Sequence, residues 1–97
     1  MIINESNKNN SIEDLLGSKA RIRILKTLAK NIELNISYII EKTRLNHSNV
    51  LKHLNILKEV NLVQEKRFGR IKIYRYKEEN LKARSLKKFI EIWEGEF

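Results

Sequence analysis

Between positions 47 and 52, His47, Ser48, Asn49 and Lys52 bring an imidazole, a hydroxyl, an amide and an ammonium group into one short stretch. These groups can donate hydrogen bonds, and the amide and hydroxyl can also accept them. Such a set can tell base pairs apart in the major groove, where each pair shows its own donor and acceptor pattern. At about 100° per residue on a helix, Val50, Leu54 and Leu57 fall within roughly 60° of one direction, whereas Ser48, Asn49, Lys52 and Asn55 project the other way. One side packs and the other is free to read. An ordinary solvated helix face would have the same composition, so the neighbouring segments must decide.

One neighbour is strongly cationic. Residues 63–77 hold Lys66, Arg67, Arg70, Lys72, Arg75 and Lys77 against the single acid Glu65, while Glu91, Glu94 and Glu96 make the far end acidic. The positive field is therefore local rather than a property of the whole chain, whose net charge is +8. Lys66, Arg67, Arg70 and Lys72 suit phosphates or a narrow minor groove; the alternative role is a charged edge that blocks strand pairing. Ser37, Tyr38, Lys42, Asn46, His53 and Asn55 are the expected contacts to the DNA backbone, helped by free amides at the helix starts near Ser37 and Asn46.

Other chemistries are excluded by what is missing. The chain has no cysteine, so thiolate metal sites, disulfides and thiol nucleophiles fall together. No glycine-rich phosphate loop or acid/base cluster appears, which argues against an enzyme and against a cofactor. His47 and His53 lie six residues apart on one expected helix, which separates them by about 120° and prevents joint chelation of an ion. No metal site is expected; His47 is placed among the base contacts, with packing or capping as its other role.

Positioning these groups requires a scaffold. Ser11 precedes a short helix that Gly17 ends, and Ser18 opens a second over about Lys19–Lys30, where Ile22, Leu25, Leu28 and Ala29 recur at helical spacing. Leu34-Asn35-Ile36 fits a small strand, followed by a helix capped by Ser37 and running to about Arg44. Asn46 caps the next helix, which runs to about Val60. Two helices so closely spaced make a helix-turn-helix. Leu62–Phe68 and Ile71–Tyr76, joined through Gly69, predict a two-stranded wing. A last helix should span about Glu79–Trp93.

The predicted order is thus α-α-β-α-α-β-β-α: mostly α with a small β-hairpin, a winged helix-turn-helix. Residues 1–10 read as a polar tail, 11–78 as the DNA-binding domain and 79–97 as a C-terminal dimerisation element. At 97 residues there is room for one modest core. Leu86, Phe89, Ile90 and Trp93 either close that core or face a partner. The shortage of buried volume favours a dimer seam joined by Ile12, Leu15 and Leu16. The N-terminus lacks the features of a signal peptide and no apolar run is long enough to span a membrane, so the expected location is cytoplasmic, at the nucleoid.

Several stretches resemble the ArsR-type winged-helix repressors. Leu16-Gly17-Ser18-Lys19-Ala20-Arg21-Ile22-Arg23-Ile24-Leu25 is similar to their opening helix, and Leu45-Asn46-His47-Ser48-Asn49-Val50-Leu51-Lys52-His53-Leu54-Asn55-Ile56-Leu57 to their recognition helix. Lys58-Glu59-Val60-Asn61-Leu62-Val63, Gly69-Arg70 and Tyr74-Arg75-Tyr76 are similar to their helix end and wing. The resemblance covers about Ile12 to Tyr76. It implies a dimer whose recognition helices enter successive major grooves of a roughly palindromic site, with terminal helices at the seam. Lys19, Leu51 and Asn61 depart from the pattern, standing where proline, a small polar residue and glycine are usual. Asn61 tolerates a left-handed backbone, so its turn can survive. The family's metal sensing does not transfer, because the thiolates are absent and the C-terminal helix has no histidine.

The expected function is therefore sequence-specific binding of double-stranded DNA by a homodimeric transcriptional regulator. A nonspecific architectural DNA binder and a winged-helix protein-interaction module are the alternatives. An effector ligand is not identified.

Overall fold

Ser11, Ser18, Asn35, Asn46 and Asn80 each turn a side-chain oxygen back onto a backbone N–H two or three residues ahead. Each thereby satisfies a donor that a helix start leaves open. In the computed structural model, which describes residues 11–95, these caps open α1 (Ile12–Leu16), α2 (Lys19–Asn31), α3 (Ile36–Thr43), α4 (His47–Glu59) and α5 (Leu81–Glu94). Three strands are interspersed: β1 (Glu33–Asn35), β2 (Val63–Phe68) and β3 (Ile71–Tyr76). The order is α-α-β-α-α-β-β-α, that of a winged helix-turn-helix.

Two details differ from the sequence reading. The cap of α3 is Asn35 rather than Ser37: the Tyr38 amide donates to Asn35 Oδ1 at 2.8 Å, and Ile36 is already helical. Both residue types can cap, and the earlier start leaves Ile39 and Thr43 on the buried side of the helix. The small strand also does not stand alone. It pairs antiparallel with β3, Glu33 opposite Arg75 and Leu34 opposite Tyr74, so the wing belongs to a three-stranded sheet ordered β1-β3-β2.

The core is assembled from one side of every major element. Ile24, Leu25, Leu28 and Ala29 of α2, Ile39 of α3, Val50, Leu54 and Leu57 of α4, and Tyr74 and Tyr76 of β3 are all fully buried. The Tyr76 hydroxyl donates to the Ala83 carbonyl at 2.5 Å, tying β3 to α5. Asn61, at φ 68°, supplies the left-handed turn between α4 and β2, as its residue type allows. Gly17 separates α1 from α2, and a Cβ there would meet the Glu13 carbonyl oxygen at 2.6 Å.

Candidate nucleic-acid interface

The sequence of α4 fixes which way its polar groups point. Val50, Leu54 and Leu57 occupy the core at 0% exposure, which turns His47, Ser48, Asn49, Lys52 and Asn55 outward, all exposed. At the helix start, Asn46 Oδ1 accepts from the Asn49 amide at 2.8 Å and from Ser48 Oγ at 3.2 Å. That acceptor is committed to the cap, so Ser48 and Asn46 are held as a pair in a defined place. Lys52 forms no ion pair among the described residues.

The turn before α4 is tied to its surroundings by hydrogen bonds. Arg44 adopts the left-handed conformation at φ 61° and its amide donates to the Ile40 carbonyl. Thr43, buried, bonds its hydroxyl to the Ile39 carbonyl at 2.7 Å, and Arg23 reaches the Thr43 carbonyl at 3.1 Å. On the outer side of α3, Tyr38 and Lys42 are exposed, with the Lys42 ammonium 5.4 Å from the ring centroid. Ser37 is exposed beside them in the first turn.

The wing brings the second cluster. In β2 and β3, Arg67 stands opposite Lys72 and Phe68 opposite Ile71, with Gly69 at φ 62° in the turn. Its charges are not equivalent. Glu65 accepts from Lys58 at 2.7 Å and from Arg67 at 3.3 Å, and the Lys58 bond, foremost, holds its carboxyl below the usual range. Lys66 lies 3.6 Å from Glu33 of β1. Arg70 and Lys72 form no ion pair among the described residues, which leaves their charge available to a ligand.

An exposed polar helix beside a cationic hairpin is the geometry of a protein that lies on duplex DNA. Residues 18–65 match the family model described as "Bacterial regulatory protein, arsR family". The chain belongs to that family. No protein in the curated set matches it, but solved structures do. A protein from Archaeoglobus fulgidus is 28% identical, with 87% of this chain and 98% of that one covered and a TM-score of 0.67. The transcriptional repressor PagR of Bacillus anthracis is 25% identical, over 77% and 83% of the two chains, with a TM-score of 0.65. NolR from Sinorhizobium fredii, 20% identical over 100% of both chains at a TM-score of 0.72, shares the fold. This arsR-family protein is a DNA-binding transcriptional regulator, and its family is not one of enzymes.

Within the regulator, three expected positions are corrected. His53 cannot flank the duplex, because it is 7% exposed and its Nδ1 accepts from Arg21 Nε at 3.3 Å. Burial, then the charges of Arg21 and Lys52, push its pKa below 6.5. Arg21 also donates to the Asp14 carbonyl, so one guanidinium joins α1, α2 and α4. Leu15 and Ile90, expected at the dimer seam, are 8% and 7% exposed and pack in the protomer's own core. Leu86 is half-buried against that core. Their helices dock inward, α5 through Ala83 and Ile90, so only the outer residues of each remain for a partner.

Those outer residues form an apolar face. Ile12, Leu16, Phe89 and Trp93 are exposed, and Leu81 and Ile92 extend the face. A groove of about 630 Å³ runs between α1, the α4–β2 junction and α5, bounded by Ile12, Leu16, Val60, Leu81, Leu86 and Phe89. Phe89 and Trp93 meet with their rings tilted by 34° and 5.8 Å between centroids. Leu81 was missed by the sequence reading although positions 81, 89 and 93 are separated by eight and four residues, the spacing of one helix face. Among the described residues no helix is long and apolar enough to cross a membrane.

Proposed function

We propose that the regulator binds a specific operator as a homodimer, with α4 in the major groove and the wing on the backbone or minor groove. In this reading Ser48, Asn49, Lys52 and His47 meet base edges, an amide pairing with adenine and an ammonium with guanine being the favoured chemistries. Ser37, Tyr38, Lys42, Asn46 and Asn55 lie against phosphates. Arg67, Arg70, Lys66 and Lys72 hold the wing, Arg70 and Lys72 most strongly because no carboxylate among the described residues pairs with them.

The observation that carries this reading is the division of α4 into a fully buried apolar side and an outward polar side, on which Ser48 is held by Asn46 and Lys52 forms no ion pair among the described residues, next to the wing cations Arg70 and Lys72, which form none among them either. The homodimer rests on Ile12, Leu16, Phe89 and Trp93: a second copy would cover them through the same surface on both protomers.

The test is competition between a duplex selected from random DNA and a scrambled one, measured across salt. A specific regulator prefers its own duplex by about 10³-fold or more. Equal affinity for the two would replace this reading with an architectural binder. No binding even at low salt would point to a protein-interaction module.

A further inference from the structure

The wing tip carries two large apolar side chains that phosphate binding does not use. Phe68 and Ile71 face each other on the last rung of the β2–β3 ladder and are 59% and 55% exposed. Only Gly69 and Arg70 lie between them, and a Cβ built on Gly69 meets nothing within 4 Å, so the tip stands clear of the body. Because side chains alternate across a strand, Phe68 and Ile71 share a face with Lys66 and Ile73, while Arg67 and Lys72 occupy the other. The result is an apolar prow with Arg70 at its point, Lys66 behind it on the same face, and Arg67 and Lys72 on the reverse.

Among the described residues nothing covers this prow. Burial is worth most for large apolar side chains, and edge protection favours charge rather than phenylalanine. The surrounding cations select the occupant: a polyanion with an apolar interior, which the DNA minor groove provides through its deoxyribose walls and stacked base edges. Apolar side chains enter there by parting a base step, most easily a flexible pyrimidine–purine step.

We infer that Phe68, backed by Ile71, is a minor-groove wedge that unstacks a base step beside each half-site while Arg70 and Lys72 hold the adjoining phosphates. The wing then contributes sequence preference through deformability as well as charge. This rests on the DNA-binding reading above.

The experiment uses the full chain and its selected duplex, with 2-aminopurine substituted in turn for each adenine flanking the half-sites. Wild type should raise the fluorescence at one step per half-site. Phe68→Ala should abolish that rise and weaken binding about tenfold, with an unchanged salt slope, since no phosphate contact is lost. Phe68→Thr, which keeps a strand-forming residue on the rung, should do the same if the hairpin is intact. Full affinity in both variants would overturn the wedge, as would absence of a fluorescence rise with wild type, while DNA binding itself would still stand. Failure of wild type to bind any duplex at low salt would instead overturn the reading on which the wedge depends.

Discussion

The outer side of α4 and the outer side of α5 are both exposed, yet they present opposite chemistry. One offers Ser48, Asn49, Lys52 and Asn55, groups that water solvates well. The other offers Phe89 at 55%, Ile92 at 70% and Trp93 at 75% exposure, which water does not. A polar face is stable with or without a ligand, so its role must be argued from neighbouring charge; a contiguous apolar face already argues for a protein partner. The same small core thus carries two exposed surfaces of opposite character, the one proposed to meet DNA and the other a second copy of the chain.

The largest effect should come from spoiling the apolar face. Trp93→Glu places a charge in the seam and should give monomers by analytical ultracentrifugation. Operator affinity should then fall by about 10² or more, because two linked half-sites are no longer engaged at once. A dimer that persists unchanged would break the assignment of this face.

On the polar face the contrast lies between reading and holding. Asn49→Ala or Lys52→Ala should cost about 1–3 kcal/mol on the selected duplex and little on scrambled DNA. Arg70→Ala should weaken both alike and reduce the salt slope by about one. Equilibrium binding at several salt concentrations separates them, and the reverse pattern would exchange their roles.

Two smaller effects probe the links between the faces. Tyr76→Phe removes the bond to the Ala83 carbonyl that joins the wing strand to α5, and should cost about 1–2 kcal/mol in urea unfolding. Tyr74→Phe removes a buried hydroxyl that has no hydrogen-bond partner among the described residues, so it should be neutral or slightly stabilising. Equal losses would show that the two hydroxyls are equally engaged.

His53, joined to α1 through Arg21, should give the smallest effect. Its folded-state pKa is below 6.5, so the unfolded chain takes up the proton more readily. Stability is therefore fully present above about pH 6.5 and declines as pH falls through the folded-state value. Thermal melts of wild type and His53→Gln between pH 7.5 and about 5 should converge toward acid; parallel curves would exclude His53 as the titrating group.

Much of this was legible in the residues. Ser11, Ser18 and Asn46 cap where their types and spacing placed them, and Asn61 takes the left-handed turn in place of glycine. The α3 start was ambiguous because Asn35 and Ser37 both cap, and only packing of Ile39 and Thr43 distinguishes them. The partner of β1 is more than 35 residues away, a distance over which periodicity carries no information. His53 is different: three residues from Val50 and four from Leu57, it falls on the buried side of α4 by helical spacing alone. Its polar type outweighed its position. The core-facing Leu15 and Ile90 could not be separated from exposed Leu16 and Phe89 until their helices had docked.

Dimethyl sulfate footprinting on the selected duplex tests the central claim most directly, because it reports guanine N7 in the major groove and adenine N3 in the minor groove separately. Guanines should be protected in two patches about 34 Å apart on one side of the duplex, and Lys52→Ala should restore reactivity at one guanine in each. Protein-bound DNA with every guanine N7 still reactive would mean that α4 does not lie in the major groove.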